Sequence, residues 1–313
     1  MTEFPVADDQ GAADVGGTGL GALMDAELTS QPETWGRAAQ LAAEGQPMPA
    51  AGERVAIIGC GTSWFMAQSY AALREQAGQG LTDAWVAPET SLSRDYDVLI
   101  ALSRSGTTTE VVDIVEKVRG RARVLGIVAD PQTPLADRVD DLIALPFAEE
   151  ESVVQTRFAT TALTLLRAGL GLDVSGAITD AERALALPLP PAAVSAEQIS
   201  FLGTGWTIGL AHEAALKNRE AAQSWTESYP AMDYRHGPIS IAAPGRATWI
   251  FGPQPEGLGA QVEQTGATFI EHPDLDPLAE LVLAQRVALA RARNLGLNAD
   301  QPRALTRSVI LDR

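Results

Sequence analysis

Cysteine is almost missing. The 313-residue chain holds one, Cys60, so it forms no internal disulfide and no cysteine cluster for a metal. Histidine is scarce as well: His212, His236 and His272 contain no His-x-x-x-His pair, and we expect neither a metal nor another cofactor. There are only two lysines, Lys117 and Lys217, and the formal net charge is −17. So acidic a chain offers no basic face to nucleic acid or to an anionic membrane. An anionic substrate would have to be held by local positive potential, most cheaply from backbone N–H groups at helix starts. No apolar run approaches the ~20 residues that cross a bilayer. Residues 1–20 are acidic and rich in Gly and Ala, without the basic start and apolar stretch of a signal peptide. They read as a disordered tail, and the protein as cytoplasmic.

What is present suits a globular protein: 46% hydrophobic and 20% charged residues, on a chain long enough for two domains. A design recurs. "RVAIIGCGTSWFMAQSYAALRE" (54–75) and "QISFLGTGWTIGLAHEAALKN" (198–218) each give a short apolar strand, a Gly-x-Gly turn and an Ala-rich helix, with Gly59 and Gly61 corresponding to Gly203 and Gly205. Around the first copy, residues 83–87, 97–103, 123–130 and 141–146 are apolar runs alternating with helical stretches such as 107–119. That pattern predicts a parallel sheet covered on both faces. A long helix is expected over 151–170. The second half has clear strands only at 198–203, 247–252 and 267–272, followed by a helix at 277–293. The expected architecture is α/β, two tandem doubly wound parallel-sheet domains of five strands each. A first domain spans 21–184, a proline-rich linker 185–197, a second domain 198–299 and a tail 300–313.

One strand does not end in an ordinary turn. "LIALSRSGTTTE" (99–110) runs from apolar residues into Ser103, Ser105, Thr107, Thr108 and Thr109. A single Ser or Thr would be a helix cap. Five around one glycine, at the carboxyl end of a strand and before a helix, point to an anion held by hydroxyls and amides. "GCGTS" (59–63) has the same position after another strand, and Arg104 either adds charge or faces solvent. No lysine accompanies these turns, which excludes a P-loop, and Trp64 replaces the third glycine of a dinucleotide fingerprint. Glu213, Lys217 and Glu220 lie at i, i+4 and i+7, on one helix face. Such a triplet is commonly a solvated ion-paired face, but the apolar "AHEAAL" and "EAAQSW" around it suggest a buried helix with its charges paired inside. The aromatic residues of "QSWTESYPAMDY" are expected in the core or at a dimer contact.

At this point the sequence resembles a known family. "GCGTSW" and "SRSGTTTE" are similar to the sugar-isomerase (SIS) phosphosugar-binding fold, which is flavodoxin-like. Residues 201–241, with the tail "DQPRALTRSVILDR" and the segment "ELTSQPETW" (27–35), resemble the isomerase domain of glucosamine-6-phosphate synthase. The resemblance implies that Ser63, Ser103, Ser105 and Thr108, with Thr62 and Arg104 beside them, bind a sugar phosphate. It implies that Gln155 and Thr156 contact the sugar. Glu220 would carry the proton between C1 and C2 of the open-chain sugar, and His236, given by a neighbouring subunit of a homodimer, would help open the ring. Glu213, Lys217 and Arg307 fall at supporting positions.

Two departures narrow the expectation. Cys60 sits inside a turn motif, and the catalytic N-terminal cysteine of a glutamine-hydrolysing domain is not found, so a glutamine-dependent synthase is not expected. Arg307 replaces the tail lysine of the synthase, and a guanidinium forms no imine. A carboxylate that takes the C2 proton leads to isomerisation with deamination of an amino sugar, to dehydration of an N-acetylated one, or to deglycation of a sugar–amine adduct. A non-catalytic phosphosugar sensor is the reading from another class.

Overall fold

A computed structural model of the chain describes residues 19–90 and 93–311. Most of the tail expected over 1–20 lies outside the described residues. Two helices, α1 (Ala22–Thr29) and α2 (Gln31–Ala43), come first. The chain then runs β1 (Val55–Gly59), α3 (Thr62–Gln76), β2 (Thr82–Val86), β3 (Val98–Leu102), α4 (Thr109–Val118), β4 (Arg123–Val128) and β5 (Asp141–Ala144). Helices α5 (Arg157–Gly169), α6 (Ser175–Ala186) and α7 (Pro191–Ser195) lead into the second half. There follow β6 (Gln198–Gly203), α8 (Thr207–Ala222), β7 (Trp225–Pro230), β8 (Ala247–Phe251), α9 (Leu258–Gln264), β9 (Thr268–Ile270) and α10 (Pro277–Asn294).

The strands form two parallel sheets, ordered β2-β1-β3-β4-β5 and β7-β6-β8-β9. In the first, β1 and β3 are buried along their whole length, as continuous apolar runs between two helical layers should be. The strand order runs from β1 to β2 on one side and from β3 onward on the other, so the ends of β1 and β3 are the topological switch point at which ligands of such sheets bind.

Two expectations need correction. The second sheet has four strands, not five, and one of them, β7, was read as core or dimer-contact aromatics. Its sequence WTESYP has three polar residues in a row, and it is an edge strand in which only Thr226 is buried, so it lacks the apolar run that marked the others. The helix expected over 151–170 begins at Arg157. Glu150 explains the late start: its buried Oε1 accepts the amides of Thr156 (2.6 Å) and Arg157 (2.7 Å), capping α5 from six residues upstream.

The halves share one core. A single apolar cluster takes in Ile57 and Ile100 of the first sheet, Phe158 of α5, Phe201 and Trp249 of the second sheet and Leu281 of α10. The proline-rich stretch is clamped to it, because Arg291 donates to Ala193 O (2.6 Å) and Ala196 O (3.0 Å). Helix α8 crosses α3 so closely that a Cβ at Gly209 would stand 2.3 Å from Phe65 O. That crossing carries a helix of the second half to the switch point of the first.

Candidate active site

A cleft of about 200 Å³ opens at the carboxyl ends of β1 and β3. Its floor is Thr62 and Ser63 at the start of α3 and Ser103, Ser105 and Thr108 before α4. Gln155 and Glu220 stand on its sides, and residues 305–309 of the tail pass over it. Nine residues expected at the site, these seven with Arg104 and Arg307, therefore meet in one place, from segments up to 245 positions apart (Thr62 and Arg307).

The hydroxyl turn is held by its own side chains. Ser103 Oγ accepts the Gly106 amide (3.1 Å) and Ser105 Oγ the Thr107 amide (3.2 Å). Gly106 has φ +60°, and a Cβ there would lie 2.2 Å from Thr133 Oγ1, so only glycine closes the turn. The Ser103 hydroxyl proton stays available for an acceptor in the cleft, and the amides of the first turns of α3 and α4 add the positive ends of two helices. Gln155 Nε2 is buried without a partner, a donor waiting for an acceptor.

Ser308, which the sequence reading missed, lies among these hydroxyls. Its Oγ accepts from Thr107 Oγ1 (2.9 Å) and Ser105 Oγ (3.2 Å) and stands 3.5 Å from Thr108 Oγ1. Thr109 N donates to Val309 O (3.2 Å), and Leu311 N to Thr109 Oγ1 (3.0 Å). Val309, Ile310 and Leu311 remain at least half exposed, so polar contacts with the cleft, not apolar burial, hold the tail down. In the sequence it stands only beside Arg307, itself placed at a supporting position.

Not every expected residue faces the cleft with free donors. Arg104 lines it, but its guanidinium is spent on Ser152 O (3.0 Å) and Arg307 O (3.0 Å), with Glu150 Oε2 at 3.8 Å. Arg307 is turned to the Glu149 carboxylate and Glu150 O. Thr156 is fully buried behind the lining and donates its hydroxyl to Glu150 Oε1 (2.9 Å). His236 is exposed in the turn Asp233–His236, away from the cleft lining.

The charged face of α8 is buried, as its apolar neighbours suggested. Lys217 is fully buried, ion-paired to Glu220 Oε2 and 3.5 Å from Glu213 Oε1. Burial opposes the Lys217 charge, but Glu213 and Glu220 outweigh it and hold its pKa above the ordinary lysine value. Glu213 is also fully buried, and loss of water pushes its pKa up to about 8 against the pull of Lys217. Lys217 thus fixes the position of Glu220, whose carboxylate reaches the cleft from a helix that cannot shift.

Residues 50–168 match the model of the SIS domain. They are a SIS domain. The five-stranded sheet and both turns of the cleft floor belong to it. Over 83% of its length the chain is 26% identical to a glutamine–fructose-6-phosphate aminotransferase (isomerizing) of Sulfolobus acidocaldarius, covering 50% of that protein. Against the same-named protein of a Nostoc species the figures are 27%, 83% and 52%. The chain spans about half the length of these relatives. Solved structures share the fold of the chain: a glucosamine-6-phosphate deaminase of Thermotoga maritima has a TM-score of 0.80 at 22% identity, covering 91% of this chain and 99% of that one. A tagatose-6-phosphate ketose/aldose isomerase of Escherichia coli has a TM-score of 0.73 at 19% identity, covering 94% and 97%. Among the described residues, no helix is long and apolar enough to cross a membrane.

Proposed function

We propose that this chain is a cytoplasmic enzyme acting on an amino-sugar 6-phosphate, glucosamine 6-phosphate or N-acetylglucosamine 6-phosphate, through Glu220. One observation carries the reading: a cradle of hydroxyls and helix-start amides suited to a phosphate shares one cleft with a carboxylate oriented by a buried lysine. The phosphate sits on the turn of Ser103, Ser105 and Thr108, with Ser63 and Thr62 from the other strand end. The open-chain sugar then reaches along the cleft past Gln155 to Glu220.

Glu220 takes the C2 proton, and the electron pair left behind forms a C1–C2 double bond. Returning the proton to C1 of a 2-amino sugar gives a C2 imine. Water hydrolyses it, releasing ammonia and a ketose 6-phosphate. An N-acetylated nitrogen leaves poorly, so loss of the C3 hydroxyl as water becomes the open course. His236 opens the sugar ring in the site of a second copy of the chain, which makes the working unit a homodimer. No lysine imine is needed: Lys217 is fully buried and paired to Glu220, and Arg307 forms none.

Proton NMR in D2O with glucosamine 6-phosphate, N-acetylglucosamine 6-phosphate and fructose 6-phosphate tests the reading. Deuterium at C2, or a new product, is expected from at least one of them, and the product separates deamination from dehydration. Binding of a sugar phosphate with neither exchange nor product from any substrate offered would make the chain a sensor.

A further inference from the structure

The bonds that hold the tail over the cleft differ in quality. Arg307 pairs with Glu149 through side chains 41% and 32% exposed, and such wet pairs hold little. Thr109, which donates to Val309 O, is half-buried. Arg104 is different. It is 5% exposed and donates to Arg307 O at 3.0 Å. The same guanidinium donates to Ser152 O (3.0 Å) and stands 3.8 Å from Glu150 Oε2. Glu150 is fully buried, so each charge offsets the other where neither is solvated. A carbonyl acceptor fixes the course of a main chain. Arg104 lies between Ser103 and Ser105, and its own carbonyl accepts the Ala129 amide (3.1 Å), which pins it to the strand end. Its planar fork therefore starts inside the hydroxyl turn. It ends on the loop that leads to Gln155 and on the residue before Ser308, whose hydroxyl lies among those of Ser105 and Thr107.

We infer that Arg104 is a positioning residue for the substrate's phosphate: it does not hold the anion itself but braces the tail so that Ser308 completes the cradle. The inference deepens the proposed function and rests on its phosphate cradle. Arginine suits the task because two nitrogens of one rigid plane reach carbonyls of two separate segments, whereas a lysine brings one nitrogen. Without the fork the tail keeps its contacts with Thr109 and Glu149, which lie nearer the surface, and Ser308 spends part of its time away from the hydroxyl turn. Glu220 is oriented from α8 by Lys217, so the brace serves binding and not proton transfer.

The test compares the full chain with Arg104→Gln, Arg104→Lys and Ser308→Ala, first by brief trypsin digestion. Arg307 O is the carbonyl of the Arg307–Ser308 bond, so the fragment ending at Arg307, read by intact mass, reports the brace without any substrate. Its rate of appearance should rise about tenfold or more in Arg104→Gln, as for loss of a charge-assisted contact, and less in Arg104→Lys. Glucosamine 6-phosphate and N-acetylglucosamine 6-phosphate are then offered. KM, or Kd by calorimetry where nothing is turned over, should rise about tenfold in Arg104→Gln, with any kcat within about twofold of the parent. Adding Ser308→Ala to Arg104→Gln should change KM little, because both act on one hydroxyl. Should Arg104→Gln fail to fold beside Glu150, Arg104→Lys keeps the charge and carries the same test at smaller amplitude. An unchanged cleavage rate would overturn the brace. Faster cleavage with unchanged KM, or additive effects of the two changes, would overturn the positioning role and leave the proposed function standing. A parent chain that binds neither sugar phosphate would overturn the cradle and the positioning role together.

Discussion

The two halves begin with the same device and use it differently. After β1 the chain turns through Gly59–Ser63, and after β6 through Gly203–Thr207. In the first half Thr62 and Ser63 line the cleft. In the second, Thr207 accepts the Thr204 amide (2.8 Å) and donates to Phe251 O (2.8 Å), so its hydroxyl stitches the strand ends together. The neighbouring turns diverge further. Beyond β3 come Ser103, Ser105, Thr107 and Thr108. Beyond β8 come Gly252, Pro253, Gln254, Pro255 and Glu256, with no hydroxyl, two residues without an N–H and a carboxylate. One half presents a turn rich in hydroxyls. The other does not, and contributes Glu220 on the helix that follows its glycine turn. Under the proposed function, binding falls to one half and proton transfer to the other.

That division can be attacked from either side. The largest effect is expected from Glu220→Gln, which should lower turnover by roughly 10²–10⁴-fold while sugar phosphate still binds; isothermal calorimetry beside a product assay would read both. A variant that keeps its rate would remove proton transfer from the second half. Ser105→Ala should weaken substrate binding by ~1.5–3 kcal/mol through loss of a charge-assisted hydrogen bond, read as a rise in KM. Unchanged kinetics would remove the cradle from the first half. Ser308→Ala should raise KM by about two- to tenfold, the worth of one ordinary hydrogen bond, if the tail hydroxyl joins the cradle around the phosphate. A lower KM would instead show the tail competing with substrate.

Glu213 permits a test by pH. In the folded protein it holds its proton up to about pH 8, against an ordinary value of 4.5. Folding therefore takes up a proton between those values, and stability falls as pH rises from 4.5 to about 8. Glu27, pushed up to about 7 by burial and by Glu150, adds to the same slope. Urea unfolding across that range should show a shallower slope in Glu213→Gln. The smallest effect is expected from Thr204→Ala in the exposed turn of the second half: substrate affinity should stay within about 0.5 kcal/mol of the parent. A larger loss would mean that the second turn also binds.

Much of this was legible before the fold was known, and the reasons are local. Strands buried on both faces must be continuous apolar runs, so β1, β3, β4 and β6 announced themselves. The edge strand β7 is half wet and had no such obligation. Ser103, Ser105 and Thr108 could be picked out because five hydroxyl residues at one strand end exceed what capping needs. Ser308 could not, because a lone serine in a tail has no pattern, and its role comes from contacts with Ser105 and Thr107, about 200 positions away. Glu150 was equally silent: its capping of α5 depends on a loop that folds back.

The sequence by itself determined the local chemistry: the parallel strands, the hydroxyl turn at 103–109, the triplet Glu213, Lys217 and Glu220 on one helix face, and the shortage of amines. These follow from periodicity and composition, which act over a few residues. Only the tertiary structure decided that α8 of one half crosses α3 of the other closely enough to need Gly209, and so brings Glu220 to the cradle. It alone turned Arg104 and Arg307 toward the wall. Such outcomes depend on which helix faces meet when two sheets share one core, and no short stretch of chain encodes that.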